Sequence, residues 1–209
     1  MNEFSIILQN AGRRFNRDWI FRDVSYTFTS GNSYAVLGPN GSGKSTILQL
    51  LNGSLSPSSG TVSFTYNHQP LDADVVYRHI SLAAPYLELI EDFTLNEVID
   101  FHFKFKNYLP GLDKKQLIDL LNMQVHRNKL VKYFSSGMKQ RVKLALAFTS
   151  ATAVLMLDEP TSNLDTQGVE WYLSLVQQYA QQRLTIVCSN QEHEYSFCQQ
   201  QLQITDYKQ

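Results

Sequence analysis

Val24-Ser25-Tyr26-Thr27-Phe28 and Val62-Ser63-Phe64-Thr65-Tyr66 alternate apolar and polar residues with a period of two, which predicts half-exposed strands of an antiparallel sheet. Ser30-Gly31 marks a turn, Tyr34-Ala35-Val36-Leu37 a buried strand, and Thr46-Ile47-Leu48-Gln49-Leu50-Leu51 a helix that ends at Asn52-Gly53. From about Leu95 to Tyr133 the spacing turns helical. Val98-Ile99-Phe101-His102-Phe105 and Leu117-Ile118-Leu120-Leu121 are parted by the breaker Pro110-Gly111, which predicts an inserted helical lobe. Two largely apolar runs, Ala153 to Leu157 and Leu184 to Cys188, read as buried strands and flank a helical pattern from Val169 to Tyr179, as in a largely parallel sheet.

Composition narrows the class of protein. At 209 residues the chain suits one α/β domain with a sizeable core. Only 18% of residues are charged, too few to keep the chain unfolded by self-repulsion. The formal charge of −1 offers no basic excess for a phosphate backbone, so nucleic acid is not an expected partner. Cys188 and Cys198 have no Cys-x-x-Cys companion, which argues against a disulfide framework and a zinc site. Met1 to Ser5 carries an acid where a signal peptide needs cations. The run from Leu144 to Leu157 is interrupted by Thr149, Ser150 and Thr152 and falls short of the roughly 20 residues that cross a bilayer. The glutamine-rich stretches near Gln177 and Gln199 read as solvated faces.

The chemistry begins in the glycine-rich loop. Gly38-Pro39-Asn40-Gly41-Ser42-Gly43-Lys44-Ser45 fits Gly-x-x-x-x-Gly-Lys-Ser/Thr and lies between a predicted strand and helix. Glycines let successive N–H groups turn toward phosphate oxygens, and the helix opening at Thr46 adds its positive end. Lys44 then reaches the β- and γ-phosphates and Ser45 ligates magnesium. Asp158-Glu159-Pro160 follows a buried strand. Asp158 can hold the magnesium shell, and Glu159 can orient water for in-line attack on the γ-phosphate.

Tyr133-Phe134-Ser135-Ser136-Gly137-Met138-Lys139-Gln140-Arg141, read with Leu157-Asp158-Glu159-Pro160-Thr161-Ser162-Asn163-Leu164-Asp165, resembles the ATPase domain of ATP-binding cassette (ABC) transporters, and does so nearly end to end. The resemblance implies a P-loop NTPase (RecA-like) α/β fold with a mostly parallel core sheet, an N-terminal antiparallel β subdomain and an inserted helical subdomain. It implies one domain, 1–209, with its core in 1–85 and 150–209 and the lobe in about 86–149. Ser135, Ser136 and Gly137 match the signature loop, which in that family closes over nucleotide held by the phosphate loop of a second subunit. A serine N-cap is the other reading of the same residues. Asp165 matches the loop at that interface. Phe15 aligns with the aromatic that stacks on adenine, with Trp19 a nearby alternative.

Three departures from the family pattern bear on turnover. Pro85 stands where the family has a glutamine, so magnesium loses one candidate ligand; Glu88 or Glu91 could reach in from the same loop, but a solvated position is the expected one for each. Asn190 stands where the family has its switch histidine: an amide can still bond the γ-phosphate or its water but cannot shuttle a proton. Met138 replaces the signature glutamine.

The resulting expectation is an ATP- and Mg2+-dependent ATPase, slow in turnover, that powers a membrane transporter through nucleotide-driven dimerisation. It would pair as a homodimer or heterodimer and sit in the cytoplasm on the inner face of the membrane, against a separate integral-membrane subunit docked near Tyr86 to Phe93. The competing expectation is a hydrolysis-poor regulatory subunit. A soluble ABC-type ATPase of DNA repair or translation would need long coiled-coil insertions or tandem domains. A GTPase would need an acid after Asn128-Lys129-Leu130, where Val131 stands. The compact shape and Gly-Met-Lys-Gln-Arg at the signature are similar to exporter ATPases, including the haem-exporter type.

Overall fold

The computed structural model describes residues 3–181 and 183–208. In chain order the elements are β1 (Phe4–Phe15), β2 (Asp18–Thr29), β3 (Ser33–Leu37), α1 (Lys44–Leu51), β4 (Ser59–Tyr66), β5 (Gln69–Leu71), α2 (Ala73–Val76), β6 (Ile80–Ala83), α3 (Leu95–His102), α4 (Lys114–Leu121), α5 (Ser136–Thr149), β7 (Val154–Asp158), α6 (Thr166–Tyr179), β8 (Leu184–Cys188), α7 (Glu192–Tyr195) and β9 (Gln200–Gln203). They form two sheets. The antiparallel one runs β2-β1-β4-β5, and the other, parallel at every pairing, runs β6-β7-β8-β3-β9.

Alternation along the strands decides what each face covers. Phe4, Ile6, Phe28 and Phe64 of the antiparallel sheet pack with Ile47, Leu48 and Leu51 of α1 and with Val154, Met156 and Ile186 of the parallel sheet. The intervening residues Leu155, Leu157 and Val187 point to the opposite face, against α5 and α6. The inner strands β3, β7 and β8 are therefore buried on both sides, which explains why they read as largely apolar runs. The helical lobe has its own core, built around Leu95, Ile99, Leu117, Leu121, Val131 and Val142. Its first two helices open with reciprocal caps, Thr94 with Glu97 and Asp113 with Gln116.

The helical spacing expected through Phe105 overshoots. α3 stops at His102, Phe103 turns to stack on Tyr108 with ring centroids 3.5 Å apart, and Phe105 is left exposed. Periodicity registers an apolar spacing, but here tertiary stacking ends the helix.

His102 is half-buried beside Ser150. Ser150 Oγ donates to the Leu146 carbonyl at 2.6 Å, so it accepts from His102 Nε2 at 2.8 Å. Burial, assisted by Lys106, lowers the histidine pKa from 6.5 to about 4. The neutral ring therefore stabilises the fold fully above the ordinary histidine range, and that contribution is lost as pH falls toward 4, to the extent of about 3 kcal/mol. Urea unfolding of His102→Gln between pH 7 and 4 is expected to show a shallower acid loss than the parent chain.

Candidate nucleotide site

The phosphate loop leaves the C-terminal end of β3. Asp158 ends β7, Asn190 follows β8 by two residues, and Ala84 and Pro85 follow β6. All four strand ends lie along one edge of the parallel sheet, where α/β folds place their ligands. A cleft of about 230 Å³ is lined by Asn40, Gly41, Gly43, Lys44, Ser45, Thr46, Ile20 and Glu159. Gly43 has φ 105°, and a Cβ there would meet Ile20 Cγ2 at 2.5 Å, so only glycine fits this point of the loop. Ser42 is almost fully buried, and its hydroxyl has no hydrogen-bond partner among the described residues.

Lys44 is 5% exposed, and its ammonium donates to the Gly38 and Pro39 carbonyls at 2.7 and 3.3 Å. The charge is thus folded back onto its own loop. Asp158 is 1% exposed, and among the described residues no well-formed hydrogen bond reaches either carboxylate oxygen. Burial raises its pKa to about 6. The nearby Glu159 and Glu194 carboxylates push the same way, whereas the Ser45 hydroxyl and Lys44 oppose. An unsatisfied buried carboxylate next to a serine hydroxyl is a donor set for a hard divalent cation that also takes phosphate oxygens and water, as magnesium does. The group fits the residues present.

Glu159 holds φ 42°, an uncommon backbone for a residue with a Cβ. Its N–H donates to the Cys188 carbonyl at 2.9 Å and its carbonyl accepts from Ser162 N–H at 3.0 Å, which fixes the turn that puts the side chain on the cleft. Asn190 Nδ2 donates to Asn40 Oδ1 at 2.8 Å, linking the switch position directly to the loop tip.

The signature residues line a second cavity, of about 440 Å³, together with Arg141, Asn163 and Asp165. Ser135 caps α5 by accepting from Met138 N–H at 3.2 Å, and Asp165 caps α6 by accepting from Gly168 N–H at 2.8 Å. Gly137 packs so closely on the turn before α6 that a Cβ would lie 2.9 Å from the Asn163 carbonyl oxygen. The N-cap reading of Ser135 therefore holds, and its hydroxyl still borders the cavity.

Several expected residues stand elsewhere. Phe15 is exposed at the β1–β2 hairpin with the Arg13 guanidinium 4.7 Å from its ring centre, and it does not line the cleft. Trp19, the alternative, lies between Arg14 and Arg22 at 5.6 and 4.7 Å. Glu91 is paired with Lys139 at 2.5 Å rather than turned toward Asp158. At the Pro85 turn, Lys143 of α5 donates to the Ala84 carbonyl at 3.1 Å and, more weakly, to that of Pro85 at 3.4 Å. Tyr86, just beyond this turn, has its phenol pKa raised, first by partial burial and then by the Asp158 carboxylate.

The profile of the ABC transporter family matches residues 21–162, and the chain belongs to that family. It is 32% identical over 158 residues to the uncharacterized ABC transporter ATP-binding protein YcbN of Bacillus subtilis (strain 168), an alignment covering 76% of this chain and 52% of YcbN. It is 29% identical over 191 residues to the lantibiotic transport ATP-binding protein SrtF of Streptococcus pyogenes, covering 88% and 78%. The chain thus spans only about half the length of YcbN. In three dimensions it superposes on a putative ABC transporter ATP-binding protein from Pyrococcus furiosus with a TM-score of 0.80 at 19% identity, over 98% of this chain and all of the other. That likeness concerns the fold, a P-loop NTPase fold.

Proposed function

We propose that this chain binds Mg-ATP, hydrolyses it, and powers a separate membrane transporter by closing against a second ATPase subunit. The observation that carries this reading is the division of the site. Lys44, Ser45 and Glu159 line one cavity, while Ser135 and Asp165 line another. A signature loop that does not share the phosphate cleft of its own chain can cap a nucleotide only from a second copy. In this reading Lys44 leaves its loop carbonyls for the β- and γ-phosphates, Ser45 and Asp158 hold magnesium, Glu159 orients water, and Asn190 bonds the γ-phosphate side. The metal supplies charge neutralisation across the phosphates. Gly38, Asn40, Gly41, Ser42, Gly43 and Thr46 form the cradle, and Phe15, exposed on the β1–β2 hairpin outside the phosphate cleft, would offer a face to adenine beyond it.

Calorimetry with Mg-ATP is expected to show binding that Lys44→Ala weakens at least a hundredfold, because a buried charge-assisted contact to phosphate is lost. Phosphate release equal to that of Lys44→Ala, measured with the membrane partner present, would instead favour the hydrolysis-poor regulatory subunit suggested by Pro85 and Asn190.

No helix among the described residues is long and apolar enough to cross a membrane. In our reading the chain sits on the inner face of the membrane, held there by its partner, with the compact exporter ATPases as the nearest type. Tyr86, Leu87 and Ile90 are 42, 38 and 42% exposed, an apolar patch beside the lobe that suits docking. Leu87→Glu combined with Ile90→Glu is expected to reduce recruitment to partner-containing membranes at least tenfold, each buried side chain contributing about 1.5–3 kcal/mol, while ATP binding stays unchanged. Flotation assays with the partner in vesicles would measure it.

A further inference from the structure

Glu194, in the short helix α7, is fully buried and forms no ion pair among the described residues. Its carboxylate only accepts. Oε1 takes the Thr161 N–H at 2.7 Å and the Thr161 hydroxyl, and Oε2 takes the Ser189 hydroxyl. The Thr161 hydroxyl proton is committed to Glu194, so Thr161 Oγ1 accepts from His193 Nε2 at 3.0 Å. Tyr172 of α6 donates to the Glu194 main-chain carbonyl at 2.7 Å, which fixes α7 from the other side.

The donors come from two different loops. Ser189 precedes Asn190, which is bonded to Asn40 at the tip of the phosphate loop. Thr161 follows Glu159 and Pro160 and begins the segment through Asn163 and Asp165 that borders the signature cavity. Gln140 of α5 donates to the Pro160 carbonyl at 2.8 Å, which extends the same chain of bonds into the helix capped by Ser135. Burying a carboxylate among neutral donors is a poor way to gain stability. It is a good way to hold two loops in one register, because both oxygens are saturated only when the loops are correctly placed.

We propose that Glu194 is a positioning residue that joins the Asn190 loop to the Thr161–Asp165 loop, so that nucleotide met at the first sets the geometry offered to a second copy by the other. The inference rests on the dimer reading above and adds the residue that makes binding and closure one event.

The test uses the full chain in a Glu159→Gln background with Mg-ATP. ATP affinity is measured by calorimetry, and dimerisation by sedimentation across protein concentrations. Glu194→Gln is expected to leave ATP affinity within about threefold and to raise the protein concentration for half-dimerisation at least tenfold. Thr161→Val should do the same and Thr161→Ser should restore the parent behaviour, so this pair decides the matter if Glu194→Gln does not fold. A change in ATP affinity as large as that in dimerisation would mean a merely structural role and would overturn the proposal. Dimers in the Glu159→Gln chain that neither Glu194→Gln nor Thr161→Val weakens would remove the linkage alone. No dimers in the Glu159→Gln chain, despite ATP binding, would remove the dimer reading and the linkage with it.

Discussion

Glu159→Gln is expected to lower steady-state ATP turnover by about a hundredfold to ten-thousandfold, the usual contribution of a positioned base, while ATP-bound dimers accumulate that the parent chain does not retain. The substitution keeps the shape of the side chain and the hydrogen bonds that fix its backbone, Glu159 N–H to Cys188 and Ser162 N–H to Glu159. It removes only the carboxylate that would polarise water. Because Lys44, Ser45 and Asp158 are untouched, binding persists and opening, which follows hydrolysis, is blocked. Phosphate release and size-exclusion chromatography in Mg-ATP measure the two halves. Turnover equal to the parent's would show that water is oriented by another group. Equal loss of binding would show that Glu159 shapes the cleft instead.

Asp158→Asn is expected to act in opposite directions on catalysis and on stability. Turnover should fall at least a hundredfold, since an amide replaces the charged ligand of a divalent cation. The nucleotide-free fold should gain about 1–3 kcal/mol at pH 8, because in the parent chain the carboxylate is buried with its pKa raised to about 6. For an acid whose pKa rises on folding, the stabilising form is the protonated one. That contribution is complete below pH 3.8, the ordinary carboxylate value, and is lost as pH climbs through about 6. The difference between variant and parent should therefore grow from pH 4 to above 6 and then level. Urea unfolding in EDTA would show it, and added magnesium with nucleotide should narrow the gap by stabilising only the parent chain. A difference independent of pH would show that Asp158 is not carrying a desolvated charge.

The parts of this molecule that sequence made legible are those in which local spacing and chemistry agree. Largely apolar strands, a glycine loop ending in Gly43-Lys44-Ser45, and Asp158-Glu159 closing a strand each carry their meaning within a few residues. The rest depends on contacts between distant positions. Glu91 meets Lys139 and Lys143 meets the Ala84 carbonyl only because α5 packs over the loop after β6. Glu194 is one of several acids near the end of the chain, and nothing in its spacing distinguishes it from the exposed Glu192. Its partners Thr161 and Ser189 converge on it because β7 and β8 are neighbours in the sheet. Phe101 and Phe105 fit a helical period, yet periodicity cannot report whether anything covers the stripe, and both rings are exposed. The Phe15 assignment came from alignment with a family, whereas its ring environment is set by Arg13 on the same strand.

The parallel sheet is bounded by β6 and β9, each only four residues long. Such stubby margins deny a neighbouring chain the template it would need to extend the sheet through main-chain ladders. In the proposed cycle of closure and opening on ATP, association is thereby left to side-chain faces that hydrolysis can release.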